Sequence, residues 1–331
     1  MSLPAAKNIV ILSTSMQPVT EKPSEPAYLR CWRSGELAER VCRALERLRD
    51  CELCPRACHA NRLEGAVGFC ETGRRARVES FFAHSGEEDC IRGRRGSGTI
   101  FFGSCNLRCV FCQNFELSWR PEGRECRADE IAAMMLRLQQ EDCHNINFVT
   151  PSHVIPQILE ALLPAIESGL RIPLVYNSSG YDRVDSLRLL DGVVDIYMPD
   201  FKFWRPEVAQ RYAAAPDYPE VARQALAEMH RQTGPLLFDA QGVARRGVLL
   251  RHLVMPEGLA DTAEIMRWVA ENLSPETYVN VMAQYRPAGQ VSARQFGELN
   301  RYLVGQEYRD AVEATRRAGI RRFDGRYKTR T

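Results

Sequence analysis

Gly103-Ser104-Cys105-Asn106-Leu107-Arg108-Cys109-Val110-Phe111-Cys112-Gln113-Asn114 follows directly on the short apolar run Thr99-Ile100-Phe101-Phe102. Three cysteines at C-x3-C-x2-C spacing on a loop make a soft, tripodal metal site, suited to an iron–sulfur cluster or to zinc. A cube of four irons held by only three cysteines keeps one iron free of protein ligands, and a small molecule can bind there. Structural zinc asks for a fourth ligand, and Cys143 and His144 are the only loose candidates nearby. Three plain buried thiols are the remaining alternative.

Outward from this loop the chain alternates. Apolar, β-branched runs fall at 99–102, 145–149, 172–176, 193–198, 247–254 and 277–282, with helical periodicity between them at 128–141, 153–168, 182–191, 219–232 and 260–272. Strands that alternate with helices predict an α/β fold with a parallel sheet and outer helices. Six such units suit a partial (β/α)6 TIM-like barrel, whose chemistry sits at the C-terminal ends of the strands. The chain divides on this reading into an N-terminal arm and helix (1–48), a cysteine-rich segment (49–95), the barrel (96–290) and a C-terminal helix with a basic tail (291–331). Prolines at 18, 23 and 26 mark the arm as an extended or partner-wrapping segment. Apolar positions 37, 38, 41, 45 and 48 make one helical face, on which Cys42 reads as core. The tail reads as solvated, with contact to a large substrate protein as the sharper alternative.

The cysteine-rich segment opens Cys51-Glu52-Leu53-Cys54-Pro55-Arg56-Ala57-Cys58-His59 and closes at Cys70. Four thiolates on so short a knuckle, Cys51, Cys54, Cys58 and Cys70, can close a tetrahedral zinc or hold an auxiliary iron–sulfur cluster, and the spacing does not choose between them. His59 is a candidate replacement ligand. Cys90, Cys126 and Cys143 read as ordinary thiols.

With 331 residues, 45% hydrophobic and 26% charged, the chain has the composition of a globular protein. A net charge of +2 argues against a dedicated nucleic-acid surface. No apolar run reaches membrane-spanning length, and Ile9-Val10-Ile11-Leu12 is too short for a signal-peptide core. A cytoplasmic location is expected, where clustered cysteines mean metal or redox chemistry rather than disulfides.

The three-cysteine loop, with an aromatic residue before its last cysteine, resembles the signature of the radical S-adenosylmethionine (SAM) superfamily. Further stretches, among them Asn145 to Ile158, Val193 to Phe203, Arg251 to Gly258 and Tyr278 to Pro287, resemble the pyruvate formate-lyase activating enzymes and, within them, the PflX-type homologues. The resemblance implies a 4Fe–4S cluster on Cys105, Cys109 and Cys112, and SAM chelating the open iron. It implies an oxidoreductase in which an electron, delivered by a flavodoxin or ferredoxin-type reductant, splits SAM to methionine and a 5′-deoxyadenosyl radical. That radical takes a hydrogen atom from the substrate, which in activating enzymes is a backbone glycine of a glycyl-radical enzyme. Asn114 is implied near the cluster or the SAM carboxylate, and Ser178 in the polar turn on the SAM side. Lys202 is implied on SAM, Asp200 with Met198 near a monovalent cation, and Arg251 on the SAM carboxylate or ribose. Gln284-Tyr285-Arg286-Pro287 closes the pocket.

The bland readings are an Asp200–Lys202 salt bridge, a turn at Asn177-Ser178-Ser179-Gly180, and a helix cap at Ser152. One departure stands out. The family's glycine-rich turn with a carboxylate for the SAM amino group is missing, and Thr150-Pro151-Ser152-His153 takes its place, with Thr150, Ser152, His153 or the backbone as substitutes. Other readings of the whole chain are a radical SAM enzyme acting on a peptide or small metabolite, and a non-enzymatic metal-binding interaction protein.

Overall fold

Ten strands form one sheet in the computed structural model, which describes residues 25–120 and 122–325. They are β1 (Ala76–His84), β2 (Ser97–Phe102), β3 (Arg124–Cys126), β4 (Ile146–Val149), β5 (Leu174–Ser178), β6 (Ile196–Pro199), β7 (Leu237–Phe238), β8 (Ala244–Leu253), β9 (Tyr278–Met282) and β10 (Arg322–Phe323). The order is β10-β9-β8-β6-β5-β4-β2-β1-β3, with β7 pairing off this path on β8. From β2 to β10 every neighbour is parallel, whereas β1 and β3 pair antiparallel and extend one edge. The result is an unclosed, partial TIM-like barrel. All six strands expected from periodicity are present.

Alternation along each strand sorts residues to two faces. Ile100, Phe102, Phe148, Tyr176 and Tyr197 pack outward under the helices Ala128–Gln140 and Ile155–Glu167. Val175, Ile196, Met198 and Leu249 make a separate apolar layer, joined by Cys90 and Ile91 of the short helix Asp89–Arg92. The preceding Glu87 and Glu88 accept hydrogen bonds from Asn147 of β4 (3.2 Å) and Asn280 of β9 (2.5 Å), which joins strands on opposite sides of the open barrel.

Several expectations change. The helix read from apolar positions 37 to 48 runs Glu36–Glu46, and Cys42 is exposed rather than core. Cys42 lies one turn after exposed Ala38, on the side away from buried Leu37, Val41 and Ala44. The arm ends in a helix, Ala27–Arg33, held by the Ala27 N–H on Asp195 at 2.8 Å; residues 1–24 lie outside the described residues. The tail is not simply solvated: Arg322–Phe323 adds β10 to β9, and the Arg322 guanidinium donates to the Leu236 carbonyl at 2.8 Å. Residues 326–331 lie outside the described residues. Among the described residues, no helix is long and apolar enough to cross a membrane.

The turn after β5 depends on Gly180, whose φ is +75° and whose added Cβ would lie 2.2 Å from the Asp200 carbonyl oxygen. Both strain and overlap oppose a side chain there. Gly180→Ala is expected to cost about 1–3 kcal/mol in urea unfolding; an unchanged midpoint would contradict this tight approach.

Candidate active site

The strand ends converge on a cavity of about 380 Å³. Cys105, Cys109 and Cys112 line it together with Asn114, Thr150, Asn177, Ser178, Ser179, Asp200, Lys202, Arg251 and Gln284. At least one sequence candidate at the end of each of the strands β2, β4, β5, β6, β8 and β9 thus lines this one cavity. His144 and Cys143 do not, because they precede β4 and stand at the other end of the strands; they are no fourth ligand for this loop.

The cysteine loop is held by its main chain. Gly103 sits where a Cβ would lie 2.1 Å from the Glu122 carbonyl oxygen. Ser104 N–H donates to Leu117 O (2.7 Å), Val110 N–H to Tyr212 O (2.9 Å), and Trp119 Nε1 to Cys109 O (3.1 Å). Asn106 Nδ2 donates to Tyr181 O at 2.7 Å, and Gln113 Nε2 to Gln284 O at 2.9 Å. Cys105 and Cys109 are buried and Cys112 is half-buried. Burial pushes the Cys105 thiol pKa up, while the amides of Arg108 and Leu107 pull it down, the latter with N···Sγ of 3.3 Å. Burial also raises Cys109, opposed by the Lys202 ammonium. Buried thiols of this kind lose their protons when a cationic metal arrives.

Three soft donors on one cavity, one of them already receiving a backbone N–H, fit an iron–sulfur cluster. Among the described residues, no three His, Cys, Asp or Glu side chains stand close enough to hold a single metal ion. A cube would differ from an ion here, since thiolates too far apart to share one ion could each bind a different iron.

Charge gathers beside the cysteines. Lys202 Nζ pairs with Asp200 at 2.5 Å. Burial alone would lower the Lys202 pKa, but Asp200 and the thiols of Cys109 and Cys112 outweigh it and hold it above the usual range. The Arg251 guanidinium lies 3.6–3.8 Å from carboxylate oxygens of Glu87, Glu88 and Asp200. The salt-bridge reading of Asp200 and Lys202 therefore holds together with their place at the cavity. Ser178 lines the cavity with its hydroxyl donating to Asp182 at 2.7 Å, whereas neighbouring Ser179 Oγ is buried with no hydrogen-bond partner among the described residues. Met198 packs in the inner apolar layer and does not line the cavity.

After β4, Thr150 takes a φ of +60°, unusual for a β-branched residue, and donates its N–H to Asn177 O at 3.0 Å. Ser152 caps no helix, since the helix starts at Ile155 without a side-chain cap; it is buried beside Asp182 and Tyr176 instead. His153, a candidate ligand contact, is buried with Nε2 on the Gly103 carbonyl at 3.0 Å and does not reach the cavity. Sequence reasoning missed Glu87, Glu88 and Arg56, for which no local signal announces burial or contact.

In the cysteine-rich segment, Cys51, Cys54 and Cys70 are buried and Cys58 is half-buried. The Cys54 pKa is pushed up to about 12 by burial first and then by Cys70, Cys51 and Cys58 around it. Arg62, 1% exposed, points Nη1 at Cys51 Sγ, 3.7 Å away. His59 instead faces Asp50 at 2.8 Å on the surface.

The Radical SAM superfamily profile matches residues 99–269, more than half of the chain. An uncharacterised protein of Methanocaldococcus jannaschii is 32% identical over 272 residues, covering 80% of this chain and 74% of that one. The chain belongs to the radical SAM superfamily, whose members carry a 4Fe–4S cluster and use SAM. Among solved structures it is similar to a radical SAM methyltransferase from Sphaerobacter thermophilus (16% identity, TM-score 0.45, 68% of this chain and 66% of that one). It is similar also to the radical SAM methyltransferase TsrM from Kitasatospora setae, solved with cobalamin and a 4Fe–4S cluster (14%, 0.41, 57% and 34%). A third is HydG, a maturase of the FeFe-hydrogenase (12%, 0.44, 66% and 48%). The chain spans at most about two thirds of these solved structures' lengths.

His252 stands beside the site without entering it. Its Nδ1 meets the Phe201 carbonyl at 2.8 Å and its Nε2 meets Thr262 Oγ1 at 2.9 Å; burial pushes its pKa down to about 4. The folded state thus holds it neutral, against about 6.5 unfolded. Its stabilising contribution is full above about pH 6.5 and is lost as pH falls toward 4. Replacing it with Gln is expected to flatten the pH dependence of unfolding free energy between pH 7 and 5, by up to about 1.4 kcal/mol per pH unit. An identical slope in the variant would rule this out.

Proposed function

We propose that this radical SAM enzyme acts on a backbone glycine of a partner enzyme, in the manner of glycyl-radical activating enzymes of the PflX type, and is an oxidoreductase in that sense. The observation that carries this reading is the size of the cavity. Its 380 Å³ lies near the low end for one drug-sized ligand. The cluster and SAM would share such a space, which leaves little of it for a second small molecule. A substrate that belongs to a larger body, presenting one reactive group from outside, meets that limit. The unclosed sheet leaves the barrel open for it.

A cluster held there and reduced by a flavodoxin or ferredoxin-type protein would supply the electron for SAM cleavage and, through it, the hydrogen-atom abstraction. Cys105, Cys109 and Cys112 hold the cluster. Lys202, fixed by Asp200, offers a cation to the anionic part of SAM, and Arg251 stands behind it. Asn114, exposed at the cavity rim, and the Ser178–Ser179 turn complete the polar lining. Asp200 is the residue toward which a monovalent cation would bind. Thr150 and Asn177, joined by their main chains, replace the missing glycine-rich turn around the SAM amino group. Leu107, Phe111, Leu253 and Met282 line the rest and keep water from the radical.

Anaerobically reconstituted, dithionite-reduced protein is expected to release 5′-deoxyadenosine from SAM, and Cys109→Ala to abolish it. Mixed with a co-encoded glycyl-radical enzyme, the protein should give an oxygen-sensitive glycyl radical by electron paramagnetic resonance. Deuterium from α-labelled glycine in that partner should appear in the 5′-deoxyadenosine. SAM cleavage without either signal, but with label transfer from a small metabolite or free peptide, would reassign the substrate.

The same reading includes a second metal centre on Cys51, Cys54, Cys58 and Cys70. The burial of Cys51, Cys54 and Cys70 and the Arg62 N–H directed at the Cys51 sulfur support it. Cys54→Ala is expected to lose that metal and solubility while leaving the SAM-cleaving cluster; iron and zinc analysis of the variant decides, and unchanged metal content would remove the centre.

A further inference from the structure

Arg56 comes from the cysteine-rich segment, between Cys54 and Cys58, and reaches into the cluster loop. Its Nε donates to the Asn106 carbonyl at 2.9 Å and its Nη2 to the Leu107 carbonyl at 3.4 Å. Its remaining donors meet the carbonyls of Ala214 (2.6 Å) and Ala213 (3.0 Å). The guanidinium lies 4.0 Å from the Phe69 ring centre and 5.2 Å from that of Tyr181. It is thereby held by two aromatic rings and by carbonyls along its edge.

The two carbonyls it takes in the loop are not arbitrary ones. The carbonyl of Asn106 and the N–H of Leu107 belong to one peptide group, and that N–H points at Cys105 Sγ, 3.3 Å away. The carbonyl of Leu107 shares the next peptide group with the N–H of Arg108, whose amide also favours the Cys105 thiolate. A cation on a carbonyl polarises its peptide and strengthens the N–H at the other end. N–H bonds to a ligating sulfur draw off its electron density and make an iron–sulfur cluster easier to reduce.

We propose that Arg56 is a positioning residue that raises the reduction potential of the cluster by polarising the Asn106–Leu107 peptide, whose N–H points at the Cys105 sulfur, and the Leu107–Arg108 peptide next to it. This rests on the reading that Cys105, Cys109 and Cys112 hold the cluster. A planar fork is required to reach both carbonyls at once, so lysine can restore the charge but only one of the contacts. The effect needs no contact between Arg56 and SAM or substrate.

The test is a redox titration of the full-length, anaerobically reconstituted chain. Dithionite supplies the single electron that takes the cluster from its 2+ to its 1+ state, followed by electron paramagnetic resonance. The signal that changes shape when SAM is added identifies the cluster in question. Arg56→Met, with full iron content, is expected to lower the midpoint by at least the equivalent of a threefold change in the reduction equilibrium, about 28 mV for one electron. Arg56→Lys should fall between this variant and the parent. An unchanged midpoint in Arg56→Met, or equal shifts in both variants, would overturn the proposal. If both variants fold by circular dichroism but lose iron, Arg56 is a scaffold for the loop and the proposal is likewise overturned. A parent chain that forms no such cluster would bring down the cluster reading itself, and with it the proposal.

Discussion

Buried charge is the constraint on which the interior of this protein depends. Glu87, Glu88 and Asp200 face Arg251 and Lys202 inside an unclosed barrel, and none of these groups is more than slightly exposed. Charges taken out of water are costly unless they are paired and hydrogen-bonded. Here they pair with one another, and Asn147 and Asn280 supply hydrogen bonds from opposite sides of the barrel. A segment that looks like a connection between β1 and β2 therefore acts as a bridge across the fold. It also places charged groups beside the buried thiols of the metal loop.

The metal loop solves a related problem. Three cysteines must be presented from irregular backbone, whose polar groups need partners away from water. The chain supplies them from far-off segments: the carbonyls of Leu117 and Tyr212 accept from the Ser104 and Val110 amides and Arg56 donates to the Asn106 carbonyl, while the Tyr181 carbonyl holds the Asn106 side chain. The cysteine-rich segment is thus packed against the loop through Arg56, and Arg108 reaches back to Glu71 at 3.2 Å. Two cysteine groups that are separate in sequence share one wall.

Tyr218 shows how the polar turns are set. Its hydroxyl donates to the Ser179 carbonyl at 2.9 Å and accepts the Lys202 N–H at 2.9 Å. The turn after β5 and the turn after β6 are tied by one side chain from a helix, and Gly180 allows the close approach. Asp182, buried among Tyr176, Ser178 and Ser152, braces the other side of the same turn.

The spacing Cys105-x3-Cys109-x2-Cys112 and the alternation of strands with helices are local properties, and they were legible in the sequence. A strand end next in sequence to a loop carries that loop's residues to the mouth of the barrel wherever the strand lies. That is why Asp200, Lys202 and Arg251 were readable as neighbours of the cysteines. Only the tertiary structure decided that Ser178 turns its hydroxyl to Asp182, that His153 is consumed by Gly103, and that Glu87, Glu88 and Arg56 belong with the site. It alone decided that Cys42 faces outward and that Arg322 and Phe323 extend the sheet. The physical reason is the same in each case. Side-chain partners and burial depend on residues tens to hundreds of positions away, and no local pattern of a single chain encodes which of them will meet.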